Sequence, residues 1–420
     1  MASRPRSGVN YPTYLLDEDK VEISRTNGLP FIAAEAQRDA FGRLRVSEVE
    51  TIFDSKLLYD KNTLFWDESV TNNSTSASSD FSSSSVVMTC GASDTIIRQT
   101  RMRFNYQSGK SQLGVFTGVM PTESTSTGRM GMLDGDNGLF FEYSSGTMNV
   151  GVRLDGVDTL VSQDNWNVDK MDGTGPSGVT ADFSKAQIYA IDFEWLGVGR
   201  VRFAMFLNGL PWVVHEITHV NALTGVYILI PNLPARYELS VAAGGALDTM
   251  RQICSTVGSE GGNQKLGLTR SFSTTTNPVG ADVADTIYAV VGVRLRSGRL
   301  AETNFIERIT AMAETDDDFE WMLLFNPTIA GTFTYSAEGG LEVAYGATAN
   351  TITEDAWELR MAGGFIKNTN QGGTALATDV LNELRLGATI GGTRDEIVLA
   401  VRPLTANLDV QATMTVREVT

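Results

Sequence analysis

The chain has 420 residues, with 33 Lys and Arg against 50 Asp and Glu, a formal net charge of −17. This acidic balance works against a general nucleic-acid binder and against adhesion to an anionic membrane surface. Hydrophobic residues make up 42% and charged residues 20%, so packed cores are feasible, and a prior of roughly 150 residues per domain suggests two or three domains. Residues 1–12 are polar, with Arg4 and Arg6 and no apolar stretch of the secretory type. No run approaches the ~18 apolar residues of a membrane span, so no membrane insertion is expected. Cys90 and Cys254 are the only cysteines, and His215 and His219 the only histidines. Two thiols cannot build a disulfide framework or a cysteine-based zinc site, and they point to synthesis in a reducing compartment.

In chain order, residues 1–68 show few regular signals, the best being a short strand candidate at 39–46. They read as an extended arm that anchors on a neighbour, too thin to bury a core alone. Residues 69–89 read as a flexible Ser/Thr-rich segment, since Ser69 to Ser85 holds nine Ser and two Thr. From 90 to 256 the signals are those of strands. Met148, Val150, Val152 and Leu154 share one face and Asn149, Gly151 and Arg153 the other, with Ser145-Gly146 and Asp155-Gly156 as turns. Tyr189, Ile191, Phe193 and Trp195 alternate with Ala190, Asp192 and Glu194, then Val201 to Leu207 leads to Asn208-Gly209, a strong hairpin dipeptide. Val226 to Ile230 is a short apolar run stopped by Pro231, as in a buried strand.

Residues 257–280, rich in Gly, Ser, Thr and Asn, read as a linker. From 281 to 420 strands recur at Ile287 to Leu295, Trp321 to Phe325 and Leu408 to Val416, the last with strict alternation. Helical periodicity is confined to a turn or two near Thr378 to Leu384. The fold class expected is all-β, with two β-sandwich domains of jelly-roll or concanavalin-like type, 90–256 and 281–420, behind the N-terminal arm. Deleting residues 1–68 is therefore expected to leave both sandwiches folded.

Four constellations bear on chemistry. His215-Glu216-Ile-Thr-His219 matches H-E-x-x-H, which binds zinc when a helix sets both imidazoles on one face. Here the flanking residues favour a strand, which would hold the rings about 13 Å apart at ~3.3 Å per residue with Glu216 facing away. A third histidine is lacking, and Glu238 is the one carboxylate at plausible spacing. Asp192 and Glu194 would share a strand face roughly 6–7 Å apart, near the ~5–5.5 Å of a retaining glycosidase pair, with Arg200 or Arg202 as partners if the face is merely solvated. Asp134-Gly-Asp136-Asn-Gly138 departs from EF-hand spacing and reads as a turn. Asp316 to Asp318 reads as a solvated loop, Gly197-x-Gly199 lacks a third glycine and a following helix, and Trp195, Trp212 and Trp321 read as core. No catalytic, cofactor or metal residue is assigned.

Several blocks resemble a family of virion structural proteins of tailed phages, notably marine ones, and of some large algal viruses. They are Gln37-Arg-Asp-Ala-Phe-Gly-Arg-Leu-Arg-Val46, Phe53-Asp-Ser-Lys56, Phe65-Trp66, Met171-Asp-Gly-Thr-Gly-Pro-Ser-Gly178 and Pro231-Asn-Leu-Pro-Ala-Arg-Tyr-Glu238. The longest is Ile191-Asp-Phe-Glu-Trp-Leu-Gly-Val-Gly-Arg-Val201, echoed by Asp317-Asp-Phe-Glu-Trp321 and Asn326-Pro-Thr328. The resemblance implies a particle component without catalytic residues. The expectation is a non-enzymatic, tail-associated fibre or spike-type protein located in the virion. The alternatives are a head decoration or head-fibre protein and, behind it, a surface-polysaccharide hydrolase using Asp192 and Glu194. The partners implied are other virion proteins, further copies of the chain (a trimer by analogy) and a host surface glycan or receptor.

Overall fold

A computed structural model describes residues 49–72, 78–207, 209–264, 266–274, 277–314, 318–367 and 385–419. These residues are all-β, arranged as two antiparallel sandwiches.

The first sandwich begins with β1 (Val49–Lys56), β2 (Trp66–Thr71), β3 (Ser78–Ser82), β4 (Ser85–Cys90) and β5 (Thr95–Thr100). It continues through β6 (Ser111–Val119), β7 (Ser126–Leu133), β8 (Gly138–Ser144), β9 (Thr147–Leu154) and β10 (Val157–Ser162). It closes with β11 (Gln187–Phe193), β12 (Val201–Leu207), β13 (Leu210–Ile217), β14 (Ala235–Val241) and β15 (Asp248–Glu260). One sheet runs β13-β12-β11-β6-β15-β4-β3 with β1 also on β15; the other runs β10-β9-β8-β7-β14-β5-β2. Alternate residues of both meet in one core, with Phe141 on Tyr189 at 4.9 Å and Phe116 on Tyr237 at 6.1 Å. Each such buried aromatic contributes about 1.5–3 kcal/mol through removal of apolar surface from water. The β8–β9 and β9–β10 hairpins close on Ser145-Gly146 and Asp155-Gly156, all four residues at positive φ, the geometry whose twist matches that of the flanking strands.

Several boundaries differ from the sequence expectation. Residues 1–48 lie outside the described residues, but 49–68 are no arm. β1 pairs along β15, Phe53 and Leu57 are buried, and the Trp66 indole N–H donates to Ser55 Oγ at 2.9 Å. Removing 1–68 would therefore take a strand and a fully buried Trp out of this sandwich. The Ser/Thr-rich stretch 69–89 contains β3 and β4, joined by Ser83-Ser84 at φ 48° and 57°. Its composition misled because β3 is a sheet edge, where small polar side chains face water. The first sandwich thus runs from Val49 to Glu260, where β15 ends, not from 90. The linker expected at 257–280 contains the end of β15, β16 (Leu268–Ser273) and β17 (Val279–Ala281). Val226 to Ile230 is not a strand. It crosses the end of the sandwich, where Tyr227 and Ile228 are buried and Tyr227 N–H donates to Gly197 O at 3.0 Å. The helical turn expected at 378–384 lies outside the described residues.

The second sandwich adds β18 (Ile287–Leu295), β19 (Thr303–Ala313), β20 (Phe319–Phe325), β21 (Ser336–Glu338) and β22 (Leu341–Tyr345). Its remaining strands are β23 (Thr351–Ile352), β24 (Leu359–Ile366), β25 (Glu396–Pro403) and β26 (Leu408–Val419). In the smaller sheet β26 is flanked by β16 and β17 on one side and β19 on the other. The larger runs β21-β22-β18-β25-β20-β24, with β23 on β18. β26 buries every second residue, because only one face meets the core. By contrast β20 is buried throughout. The large sheet is covered on one face by the small sheet and on the other by two loops, one bearing Ile329 and Phe333 and the other bearing Trp357. A strand covered on both faces reads as a continuous apolar run.

The two sandwiches are joined along a seam. Phe65 packs against both cores. Arg101 donates from Nη1 to Asp395 Oδ1 at 2.9 Å and Glu358 Oε2 at 3.1 Å, and its carbonyl accepts from Ala388 N at 3.0 Å. A side chain at Gly387 would run into that carbonyl. Ile390 N donates to Asp67 Oδ2 at 2.7 Å, and Asn232 Nδ2 to Ala301 O at 2.9 Å.

Candidate functional site

The H-E-x-x-H residues do not converge. His215 lies in β13 and its Nδ1 accepts from Asn167 N at 3.2 Å. His219 lies beyond the strand, stacked on Tyr227 at 4.2 Å, with Nδ1 2.6 Å from Gly199 O. Since a carbonyl only accepts, that nitrogen holds the proton. Burial lowers the pKa of both imidazoles; for His219 the Gly199 bond works the other way. Glu216 pairs with Arg200 at 3.4 Å. Glu238 belongs to the opposite sheet. Among the described residues no three His, Cys, Asp or Glu side chains gather to hold a metal ion.

Asp192 stands on the outer face of β11, where the register sets it opposite Arg202 of β12. It is ion-paired with Arg202 and accepts from Ser111 Oγ, and it is only 4% exposed. Glu194 falls past the end of β11 and accepts from Arg200 N at 3.0 Å. The recess beside Asp192 and Arg202 holds about 20 Å3, room for one water and not for a sugar ring. Two carboxylates engaged in this way offer no paired acid and base at a cleft.

Asp134 closes its own turn: Oδ1 accepts from Asp136 N at 2.8 Å and Asn137 N at 2.7 Å, and Oδ2 meets Arg103. Burial works to raise its pKa, but Arg103 and the two backbone N–H groups outweigh it, so the carboxyl sits below the usual range. Asp316 lies outside the described residues. Gly197 and Gly199 shape the turn after β11, Gly197 at φ 80°. Trp195 and Trp212 pack against the first core and Trp321 in the second.

Among the described residues, one extended polar assembly matches no motif of the sequence. Across the outer face of the second sheet of the first sandwich, the register aligns Asn149, Glu142, Arg129 and Glu238 in one row over four strands. Arg129 meets Glu142 at 2.7 Å, Glu238 at 2.9 Å and Asp158 at 3.4 Å. Arg153 pairs with Asp158 at 2.6 Å and Arg236 with Glu238 at 2.6 Å. Both Arg129 and Arg153 lie 5.6 Å from the Phe140 ring. Burial works to raise the pKa of Glu238, but Arg236 and Arg129 hold it down. Three cations balance three anions, so the face is a clamp across strands and not an acid–base centre. Each residue occupies the polar phase of a period-two pattern, which was visible; the cross-strand register was not.

The comparisons with known proteins follow from this fold. No family model and no curated protein matches the chain. Among solved structures, the chain is similar to the endo-β-1,3-glucanase from Pyrococcus furiosus, at 13% identity over 50% of this chain and 94% of that one, TM-score 0.36. It is also similar to the Bacillus licheniformis β-glucanase, at 11% over 50% and 97%, TM-score 0.31. A legume lectin-like domain from Entamoeba histolytica matches at 11% over 50% and 98%, TM-score 0.31. At these identities nothing of their activities transfers. The class is that of an all-β protein built from antiparallel β-sandwiches, in which, among the described residues, no helix is long and apolar enough to cross a membrane.

Proposed function

We propose that this protein is a non-enzymatic structural component of a virus particle, a tail-associated fibre or spike-type element attached through its N-terminal region. The virion assignment rests on the sequence blocks quoted above. The observation that supports a mechanical role is the engagement of Asp192: the carboxylate best spaced for glycan cleavage is buried against Arg202 beside a recess of about 20 Å3. The seam, with Phe65 in both cores, supports a stiff two-sandwich unit. Other virion proteins and further copies of the chain are the partners of such a unit.

The experiment is electron microscopy of purified particles with the protein labelled. Label at the tail is expected. Label on the icosahedral shell would replace the tail role by head decoration, and absence from particles would overturn the reading. Incubation with host envelope glycans tests the enzymatic alternative, and cleavage abolished by Asp192→Asn would sink the non-enzymatic assignment.

A further inference from the structure

The seam encloses a pocket of about 210 Å3 whose walls come from both sandwiches. We propose that it binds one neutral, hydroxyl-rich ring, a single sugar residue. The volume lies below the roughly 300–1,000 Å3 of sites for drug-sized ligands, which limits the occupant to one ring.

The chemistry of the walls excludes other classes. Arg101, Arg103 and Arg236 line the pocket, yet each is already neutralised: Arg101 by Asp395 and Glu358, Arg103 by Asp134, Arg236 by Glu238. A phosphate or carboxylate would find no net positive charge there, and Asp136 on the rim would repel it. A divalent cation would need carboxylate oxygens, and both of those on Asp134 are engaged by N–H donors. An apolar ligand would leave the guanidinium and amide groups of the wall without water. What the pocket presents is a set of fixed N–H donors, an acceptor at exposed Asp136, and two aliphatic side chains, Leu300 and Ile390, contributed by the second sandwich. A sugar ring matches it: its hydroxyls both donate and accept, and its C–H face can lie on the aliphatic side. The ion pairs hold the donors in place before the ligand arrives, which lowers the entropic cost of binding.

This inference stands apart from the virion assignment; an empty pocket would leave that reading untouched, and a filled one would not prove it. The test is isothermal titration calorimetry of the full chain with D-glucose, D-galactose, D-mannose, D-glucuronate and inorganic phosphate. At least one neutral sugar should bind saturably with a Kd of about 1 mM or somewhat weaker, and glucuronate and phosphate at least tenfold more weakly. Asp136→Trp, which fills the rim, should weaken the neutral sugar at least tenfold, and Asp136→Ala severalfold. Asp136 suits this because it is exposed and its backbone forms the turn bonds, N–H to Asp134 and C=O from Gly156. Unchanged circular dichroism and melting confirm folding of each variant. The proposal is overturned if no neutral sugar saturates, if Asp136→Trp binds as the parent does, or if phosphate or glucuronate binds more tightly.

Discussion

The tetrapeptide Asp-Phe-Glu-Trp occurs twice, at Asp192 to Trp195 and at Asp318 to Trp321, and the two copies are built in at opposite ends of strands. In the first, β11 ends at Phe193, so Asp192 lies inside the strand and faces Arg202, while Glu194 falls into the turn where its N–H donates to Arg200 O. In the second, β20 begins at Phe319, so Glu320 lies inside, between Arg402 and Arg360, and Asp318 precedes the strand. Phe193 and Phe319 are both fully buried. The phenylalanine fixes which way the block faces; the strand boundary decides which acid stands inside the sheet, opposite an arginine of the neighbouring strand.

Six variants, one of them read across a pH series, would break or sharpen this comparison. The largest effects are expected at the shared feature: Phe193→Ala and Phe319→Ala should each lower unfolding free energy by about 3–5 kcal/mol, measured by chemical denaturation. A cost under about 1 kcal/mol at either would mean that the two phenylalanines do not play equivalent parts. Next comes Asp192→Asn, which takes a carboxylate away from Arg202, a side chain only 1% exposed; about 3 kcal/mol is expected. The paired replacement Asp192→Leu with Arg202→Met should recover most of it, and failure to recover would locate the cost elsewhere than in the Asp192–Arg202 pair. Glu320→Gln should cost less, about 1–2 kcal/mol, because Arg360 and Arg402 are 38% and 27% exposed and can turn to water. An equal or larger loss than at Asp192 would reverse the assignment of the deeper pair.

The smallest effect concerns acid. Burial works to raise the pKa of Glu320, but Arg360 and Arg402 overcome it, so the folded value lies below the unfolded one. Its contribution is complete above about pH 4.3 and is lost as pH falls through the lower folded value. His215 and His219 are also lowered in the folded state, by burial, so their contribution is complete above about pH 6.5 and declines below it. The first sandwich should therefore begin to lose stability at a higher pH than the second. His219→Phe should flatten the melting temperature between about pH 6.5 and 5 while keeping a ring against Tyr227. An unchanged profile would remove His219 from the account.

Much of the fold was legible. The hairpins on Ser145-Gly146 and Asp155-Gly156, and the alternation of β26, follow from side chains projecting to opposite faces at every residue. The candidate chemistry was partly legible: the β-favouring flanks of His215 to His219 already opposed a shared metal, and of the two arginines offered as partners for the Asp192 and Glu194 face, Arg202 is the one that the register sets opposite Asp192. The Ser-rich edge hairpin and the end-capping segment at Tyr227 were misread, because a polar edge strand and a loop resemble one another in composition, as do a buried strand and a buried crossing.

What the amino-acid order determined by itself was local: the period of each strand, its turns and its all-β character, because these depend on residues within a few positions of one another. Only the tertiary structure decided the row from Asn149 to Glu238, the sharing of Phe65 between two cores, and the pocket between Arg103 and Ile390. Each joins residues distant in sequence through strand register or sheet packing. A period of two states which way a side chain points and carries no information about which strand lies beside it.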